Sequence, residues 1–418
     1  MANLPTVPLV EAVSPRIDVI STIMMNSQFP ILDRTVNGHR LVYLDNAATS
    51  LTPECVVEAI ADGYRRYKAN VHRGIHTLSQ QATGLLEQAR SRVASFINAP
   101  SADNIVFTRG TTEGINLVAS TLSKSWQTGD EVVVTAMEHH SNIVPWQLAG
   151  AHLRVIPLNA DGTLDLTRAD ELFNERTRLL AVSHVSNVLG TVNAVADLVA
   201  LGHRHGVPVL VDGAQAVAHR RVDMTALDCD YYVFSAHKMY GPTGVGVLYG
   251  KSERLAAMPP YQGGGEMVDK VSFDVTTYEP APLRFEAGTP DFIDIIALPA
   301  AIDFIEQLGF DRIGAVEQEL STRATEGLLS VEGVRLFGTA PDKDAVLSFL
   351  IGDHSSYDIG LLLDRMGIAV RTGHHCAQPL MATLGVTGTV RASFAPYNTL
   401  DDVDALIAGV RRVATMLG

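Results

Sequence analysis

The sequence predicts an α/β fold: a large domain built on a mostly parallel seven-stranded sheet flanked by helices, followed by a smaller α+β domain at the C-terminus. Three observations predict it. Between residues about 40 and 250, short β-branched runs alternate with longer stretches whose apolar spacing suits helices. The chain has 418 residues, long for one compact unit, which makes two domains the natural division. A segment rich in glycine and proline, residues 260–290, separates that alternating region from a C-terminal part ending in a clear amphipathic helix.

The strands expected in the first region are Asn104–Thr108, Glu131–Thr135, Leu153–Pro157, Leu179–His184, Val207–Val211, Tyr231–Phe234 and Val245–Tyr249. Between most of them lie helix-compatible segments such as Leu85–Phe96 and Val195–Arg204. This βαβ alternation predicts parallel strands covered on both faces. Residues 260–290, with Gly263, Gly264 and Gly265 followed by Pro280, Pro282 and Pro290, read as an irregular excursion with room for a hairpin. Residues 1–30 read as an N-terminal arm packing with the small domain, residues 31–294 as the large domain and 295–418 as the small one. In the last element, Val403, Leu406, Ile407, Val410, Val413 and Met416 recur at helical spacing, with Thr399 as cap and Asp402 three residues on.

Composition narrows the class of function. The chain is 46% hydrophobic and 19% charged, as expected of a globular protein. Its formal net charge of −14 argues against nucleic acid or an anionic membrane as main partner. Cys55, Cys229 and Cys376 are too few and too scattered for a disulfide framework and read as free thiols. The N-terminus lacks a basic start followed by an unbroken apolar run, and no apolar stretch approaches the roughly 20 residues of a membrane span. The expected location is the cytoplasm.

In an open α/β sheet, ligands bind beyond the C-terminal ends of the strands, so the residues delivered there carry the chemistry. The first strand leads into Arg109-Gly110-Thr111-Thr112-Glu113-Gly114, a turn opening a helix, whose free N–H groups and hydroxyls suit a phosphate. By itself this is no more than an ordinary helix cap. Later strands deliver Glu138-His139-His140, then Ser186 and Asn187, then Asp212, then Ser235-Ala236-His237-Lys238 before a glycine-rich turn. Singly, each has a bland explanation as a cap, a structural histidine or a solvated lysine. Together they place a phosphate cradle, an imidazole, a carboxylate and an amine on one rim.

That combination is what pyridoxal 5′-phosphate (PLP) demands: a lysine to hold its aldehyde, a carboxylate beside the ring nitrogen, a phosphate anchor and a flat group against the ring. Asp212 and Lys238 are separated by about one βαβ step, which puts them on neighbouring strands. A zinc site among His139, His140, His374, His375 and Cys376 is disfavoured, because a rigid element points adjacent residues in different directions. No metal is therefore assigned.

From about Phe29 to its end the sequence resembles the SufS-like second group of cysteine desulfurases, fold-type I PLP enzymes of the class V aminotransferase-like kind. The markers are Leu44-Asp45-Asn46-Ala47-Ala48, Val71-His72-Arg73-Gly74-Ile75-His76, Arg109-Gly110-Thr111-Thr112-Glu113 and Glu138-His139-His140-Ser141-Asn142. Further on come Val211-Asp212-Gly213-Ala214-Gln215, Ser235-Ala236-His237-Lys238, Arg284-Phe285-Glu286-Ala287-Gly288-Thr289-Pro290 and Arg371-Thr372-Gly373-His374-His375-Cys376-Ala377.

The resemblance implies a role for each matching position. Lys238 holds the cofactor covalently and acts as acid and base at the substrate α-carbon. Asp212 pairs with the ring nitrogen, His139 stacks on the ring, and Gln215 bonds the phenolic oxygen. Thr111, Thr112, Ser235 and His237 hold the phosphate, and Thr289 reaches the phosphate of the other subunit of a homodimer. Arg391 clamps the substrate carboxylate with help from Asn187; Arg371, His72 and Arg73 are further substrate-side candidates. Cys376 takes sulfur from L-cysteine as a persulfide, leaving L-alanine, and passes it to an acceptor protein of the SufE or SufU kind for iron–sulfur cluster assembly.

Cys376 also stands out on its own residues. It sits in a polar glycine-containing loop beside Arg371, His374 and His375, neighbours that favour the nucleophilic thiolate. Cys229 and Cys55 fit the ordinary role of a small hydrophobe better. Selenocysteine lyase is the nearest alternative, since it needs the same residues. An aminotransferase or epimerase has no use for the thiol, and a catalytically idle scaffold has no use for Lys238, Asp212, His139 and Arg391.

Overall fold

The seven expected strands assemble into one sheet. The computed structural model describes Met25 and residues 27–418. In it, β1 (Ile105–Thr108), β2 (Glu131–Thr135), β3 (His152–Ile156), β4 (Thr177–Ser183), β5 (Val209–Asp212), β6 (Tyr231–Ser235) and β7 (Gly246–Gly250) lie in the order β1-β7-β6-β5-β4-β2-β3. Strands β2 to β6 pair in parallel, and only β7 runs antiparallel to its two neighbours. The C-terminal ends of β1, β2, β4, β5 and β6 therefore open on one rim.

Burial on both faces explains the unbroken apolar character of these strands. Leu179, Leu180, Ala181 and Val182 of β4 are all fully buried. They alternate between two cores, as period-2 geometry requires. Leu180 and Val182 join Ile105, Phe107 and Val133 against the helices α1 (Thr77–Phe96), α3 (Val195–Arg204) and α4 (Phe292–Leu308). Leu179 and Ala181 join Val106, Val132 and Val134 against α2 (Thr111–Leu122) on the opposite face. The excursion over residues 260–290 does contain a hairpin, β8 (Val268–Val271) and β9 (Thr276–Tyr278), with Phe273 fully exposed at its tip.

A separate core forms around a four-stranded antiparallel sheet of β10 (Val334–Phe337), β11 (Val346–Ile351), β12 (Arg371–Gly373) and β13 (Thr389–Ser393), in the order β10-β11-β13-β12. The helices α5 (Phe310–Leu329), α6 (Ser356–Asp364) and α7 (Leu400–Leu417) cover it. Helix α7 starts with the expected capping box, in which Thr399 and Asp402 satisfy each other's backbone N–H. Its Val403, Leu406, Val410 and Val413 are fully buried, each contributing about 1.5–3 kcal/mol of transfer free energy.

The division expected near Ile295 falls inside α4, whose buried side chains pack in the first core. Helix α5 passes between the two, with Ile313 in the first core and Leu320, Ala324 and Leu328 in the second. Early residues also reach across: Val42–Tyr43 pairs in parallel with Ile368–Ala369, and Val42 and Leu44 bury their side chains in the second core. The arm expected over residues 1–30 lies outside the described residues, save for Met25 and residues 27–30. Met25 and Phe29 belong to the first core.

Candidate active site

The rim holds a cavity of about 210 Å³, and its walls are strand ends. One end is the turn after β1. The Thr111 N–H donates to the Ser235 hydroxyl at 2.8 Å, and the Thr111 and Ser235 hydroxyls lie 2.8 Å apart. Thr112 shares a hydrogen bond of 2.7 Å with Ser141. Strand β7 runs between β1 and β6 here, and space is tight. A Cβ on Gly246 would come within 2.3 Å of the Gly110 Cα, so glycine is required for the turn to approach. His237 bonds the Thr49 hydroxyl at 3.2 Å, and burial lowers its pKa to about 4, keeping the ring neutral.

The middle of the cavity is set by His139, Asp212 and Lys238. His139 Nδ1 accepts from the Ser141 N–H at 3.1 Å, which leaves the ring proton on Nε2. Burial, then Lys238, hold its pKa down to about 3. The backbone that carries it is anchored by buried Glu138, which accepts from Thr135 (2.6 Å), Asn142 (2.6 Å) and both the N–H (2.9 Å) and hydroxyl (2.6 Å) of Ser183. Burial raises the Glu138 pKa to about 7 against those donors. Asp212 ends β5, and its Oδ1 accepts from the Ala214 N–H at 3.0 Å. Desolvation raises the Asp212 pKa and lowers that of Lys238, while each of the two favours the charge on the other.

The far wall comes from the second sheet. Arg391 of β13 is buried; its Nη1 donates to the Asn187 carbonyl at 2.8 Å and its Nη2 to Asp45 at 3.1 Å. Desolvation lowers the Arg391 pKa to about 10. Arg371 of β12 lies 3.7 Å from the Cys376 sulfur through Nη2. Cys376 is half-buried, and both it and His375 hold left-handed backbone conformations, with φ of 56° and 51°. The Asn187 side-chain amide donates to the His375 carbonyl at 2.8 Å. His375 Nε2 reaches the Thr389 carbonyl at 3.1 Å.

Among the predicted residues, Lys238, Asp212, His139, Gln215, Thr111, Thr112, Ser235, His237, Asn187, Arg371 and Arg391 all line this cavity. Gln215 uses its amide to donate to the Ala47 carbonyl at 2.7 Å. Cys376 stands beside the cavity, reached through Arg371. Three predicted residues are not brought to this chain's cavity. His72 has a left-handed backbone and donates its N–H to Thr83 at 2.7 Å. Arg73 bonds the Val268 carbonyl of the hairpin at 3.1 Å. Thr289 is exposed and lines a second cavity, of about 480 Å³, with Arg109 and Tyr261.

Sequence reasoning assigned no role to Asp45, the carboxylate on Arg391, or to Ser141, which ties His139 to Thr112. It also gave none to Glu138, and it expected the His375 imidazole to favour the Cys376 thiolate, whereas burial keeps that ring neutral and its Nε2 turns to Thr389. Asp45 is remote in sequence from Arg391, and no local pattern links them. A serine two residues after His139 was the one visible signal.

The donor set fits PLP. Arg391 Nε and His375 Nδ1 are buried without a hydrogen-bond partner, and both residues line the cavity. Lys238, Arg371 and Arg391 concentrate positive charge there, suiting a ligand with a phosphate and a carboxylate. A lysine, a ring-sized imidazole and a buried carboxylate on one sheet rim define a lysine-anchored PLP enzyme of fold type I.

Comparison with known proteins agrees. The aminotransferase class-V family profile matches residues 42–406. A cysteine desulfurase of Cronobacter sakazakii is 54% identical over 400 residues, covering 94% of this chain and 98% of the relative. The crystal structure of the Escherichia coli cysteine desulfurase CsdA, in its S-sulfonic acid form, superposes with a TM-score of 0.87 at 44% identity, covering 96% of this chain and all of that one. A C-DES variant with glycine covalently linked to its PLP cofactor superposes at 0.79 with 25% identity, over 93% of this chain and 98% of that one. The chain belongs to the cysteine desulfurases of the aminotransferase class-V family, and PLP is its cofactor.

Proposed function

We propose that this cysteine desulfurase mobilises sulfur from L-cysteine by transferring it to Cys376, with Lys238 holding the cofactor. The observation that carries the reading is the meeting of two chemistries at one cavity: Lys238 and Asp212 on the strand rim, and Cys376 with Arg371 at the wall from the second sheet. PLP, when bound, supplies the electron sink that acidifies the α-carbon and weakens the carbon–sulfur bond.

This chain's residues do the rest. Arg391 and Arg371 gather the substrate carboxylate, and Asp45 and the Asn187 carbonyl fix the Arg391 guanidinium. The lowered pKa of Lys238 makes its free amine available as the base that takes the α-proton. With PLP bound, Asp212 would serve the ring nitrogen, neutral His139 the ring and Gln215 the phenolic oxygen, and Thr111, Thr112, Ser235 and His237 would hold the phosphate. The thiolate of Cys376 attacks the substrate sulfur. The new S–S bond forms as the carbon–sulfur bond breaks, its electron pair stays with the departing fragment, and protonation yields alanine.

The wider setting follows from the same reading. The persulfide is handed to an acceptor protein of the SufE or SufU kind, supplying iron–sulfur cluster assembly in the cytoplasm. Among the described residues, no helix is long and apolar enough to cross a membrane. The enzyme works as a homodimer in which Thr289 serves the phosphate in the partner's cavity. Its exposed position, away from this chain's own cavity, supports that arrangement. The large unit, which includes α4, acts as the cofactor-binding unit, and the unit around the second core bears the cysteine. Selenocysteine lyase is the alternative reading of the same site, with the selenium of L-selenocysteine in the place of the substrate sulfur.

The test is release of alanine and sulfide from L-cysteine with a reductant, comparing the wild type with Cys376→Ala after both show PLP absorbance. Turnover should collapse in the variant while its yellow colour persists. A coloured Cys376→Ala protein with wild-type turnover sinks the assignment of the sulfur acceptor.

A further inference from the structure

The cysteine loop is held in an unfavourable backbone shape by contacts from outside it. Left-handed φ at two consecutive non-glycine residues, His375 and Cys376, costs about 1–2 kcal/mol at each, and the shape persists only where the surroundings enforce it. The enforcing contacts are few. Asn187 holds the His375 carbonyl at 2.8 Å. The His140 N–H donates to the Cys376 carbonyl at 2.7 Å. The His140 Nε2 accepts from the Gln378 N–H at 3.0 Å, two residues beyond the cysteine. The His140 ring also lies 5.5 Å from that of His374, whose Nδ1 accepts the Cys376 N–H at 3.1 Å.

His140 thus holds the loop at two successive points, the Cys376 carbonyl and the Gln378 N–H. It also directly follows His139, which lines the cofactor cavity. Because Gln378 donates to Nε2, the ring is neutral with its proton on Nδ1. Burial and the neighbouring His374 lower the His140 pKa, in keeping with that state.

We propose that His140 is a positioning residue for sulfur transfer: its imidazole, by accepting the Gln378 N–H, holds the Cys376 loop where the thiolate meets the substrate sulfur. This rests on the reading of Cys376 as sulfur acceptor. It predicts a split between two half-reactions. Removal of the α-hydrogen needs the strand-end wall and the carboxylate clamp of Arg391, whereas sulfur transfer needs the loop as well.

The holoenzyme supplies the test. Exchange of the α-hydrogen of L-alanine with D₂O reads the first wall, because alanine has no sulfur to transfer. Alanine release from L-cysteine reads both. In His140→Leu, release should fall about 10- to 100-fold with KM for cysteine within about threefold, while exchange and PLP absorbance stay within about twofold. His140→Gln, whose side-chain oxygen can take the place of Nε2, should recover most of the loss. Gln378→Pro removes the donated N–H and leaves the imidazole untouched, so it should show the same split even where His140→Leu fails to fold. Full turnover in both His140→Leu and Gln378→Pro overturns the proposal, and so does exchange falling in step with turnover. Cys376→Ala run alongside separates the two ideas. If it keeps turnover, the sulfur-acceptor reading itself fails; if it is inactive while the other variants are fully active, only the role of His140 fails.

Discussion

The two walls of the cavity are built by different means. The wall that carries Thr111, His139, Asp212 and Lys238 consists of strand ends and the turns that follow them, fixed by a sheet buried on both faces. The wall that carries Cys376 is a loop between β12 and β13, with left-handed φ at Gly373, His375 and Cys376, held by hydrogen bonds from His140 and Asn187. Strand-end residues keep their places as long as the sheet exists. The loop keeps its place only while the two cores are docked. Chemistry at the α-carbon is therefore assigned to the rigid wall, and the step that needs a thiolate to approach a moving sulfur to the adjustable one.

The largest expected effect tests the rigid wall. Lys238→Ala should cost about a thousandfold or more in alanine release, since both the covalent hold on the cofactor and the α-carbon base are lost. Its absorbance should also change, unlike that of Cys376→Ala, and it should lose α-hydrogen exchange. A Lys238→Ala protein that still exchanged the α-hydrogen at the wild-type rate would break the assignment of that step to this wall.

Asn187→Ala sharpens the boundary between the walls. The side-chain amide that holds the His375 carbonyl is lost, while the backbone carbonyl that accepts from Arg391 remains. Alanine release should drop about tenfold or somewhat more, as expected for a misplaced reacting group. Exchange of the α-hydrogen should be nearly unchanged. An equal loss in both assays would move Asn187 from the loop to the cofactor wall.

The same contrast explains what the sequence disclosed. Strands β1 to β7 announce themselves by β-branched runs, and parallel topology sends their ends to one rim, so Asp212 and Lys238 could be placed together from spacing alone. Helix α7 and its Thr399–Asp402 box were equally legible, because capping and amphipathic spacing are local. The cysteine of the loop stood out too, from the polar neighbours of Cys376. How the loop is held was not. His140 is 236 residues from Cys376 and its bond is made by backbone atoms, which leave no mark on residue type. Asp45 on Arg391 spans a similar gap. Helix α4 shows the limit from the other side: it follows the irregular excursion and so reads as the start of a new unit, yet its broad apolar face is buried in the first core, with Asp303 and Glu306 left at the surface on Arg92.

The smallest effect concerns the docking on which the loop depends. His219, from the first core's side, bonds Glu317 of α5 at 2.8 Å, and both side chains are largely buried. Burial alone would depress the His219 pKa, but the Glu317 carboxylate overrides it and pushes the value up to about 9. A folded-state pKa above the ordinary 6.5 means that protonation stabilises the fold. That stability is present below about pH 6.5 and is lost as pH rises through 9. Urea midpoints should accordingly fall between pH 6.5 and 9.5 in the wild type and change less in His219→Gln. At pH 7 the variant should be destabilised, yet once folded it should keep α-hydrogen exchange, because the strand-end wall does not use this contact. Turnover that fell with the urea midpoint while exchange held would tie the cysteine wall to the docking of the two cores. A wild type whose midpoint did not fall across that pH window would show that the His219–Glu317 pair contributes nothing to that docking.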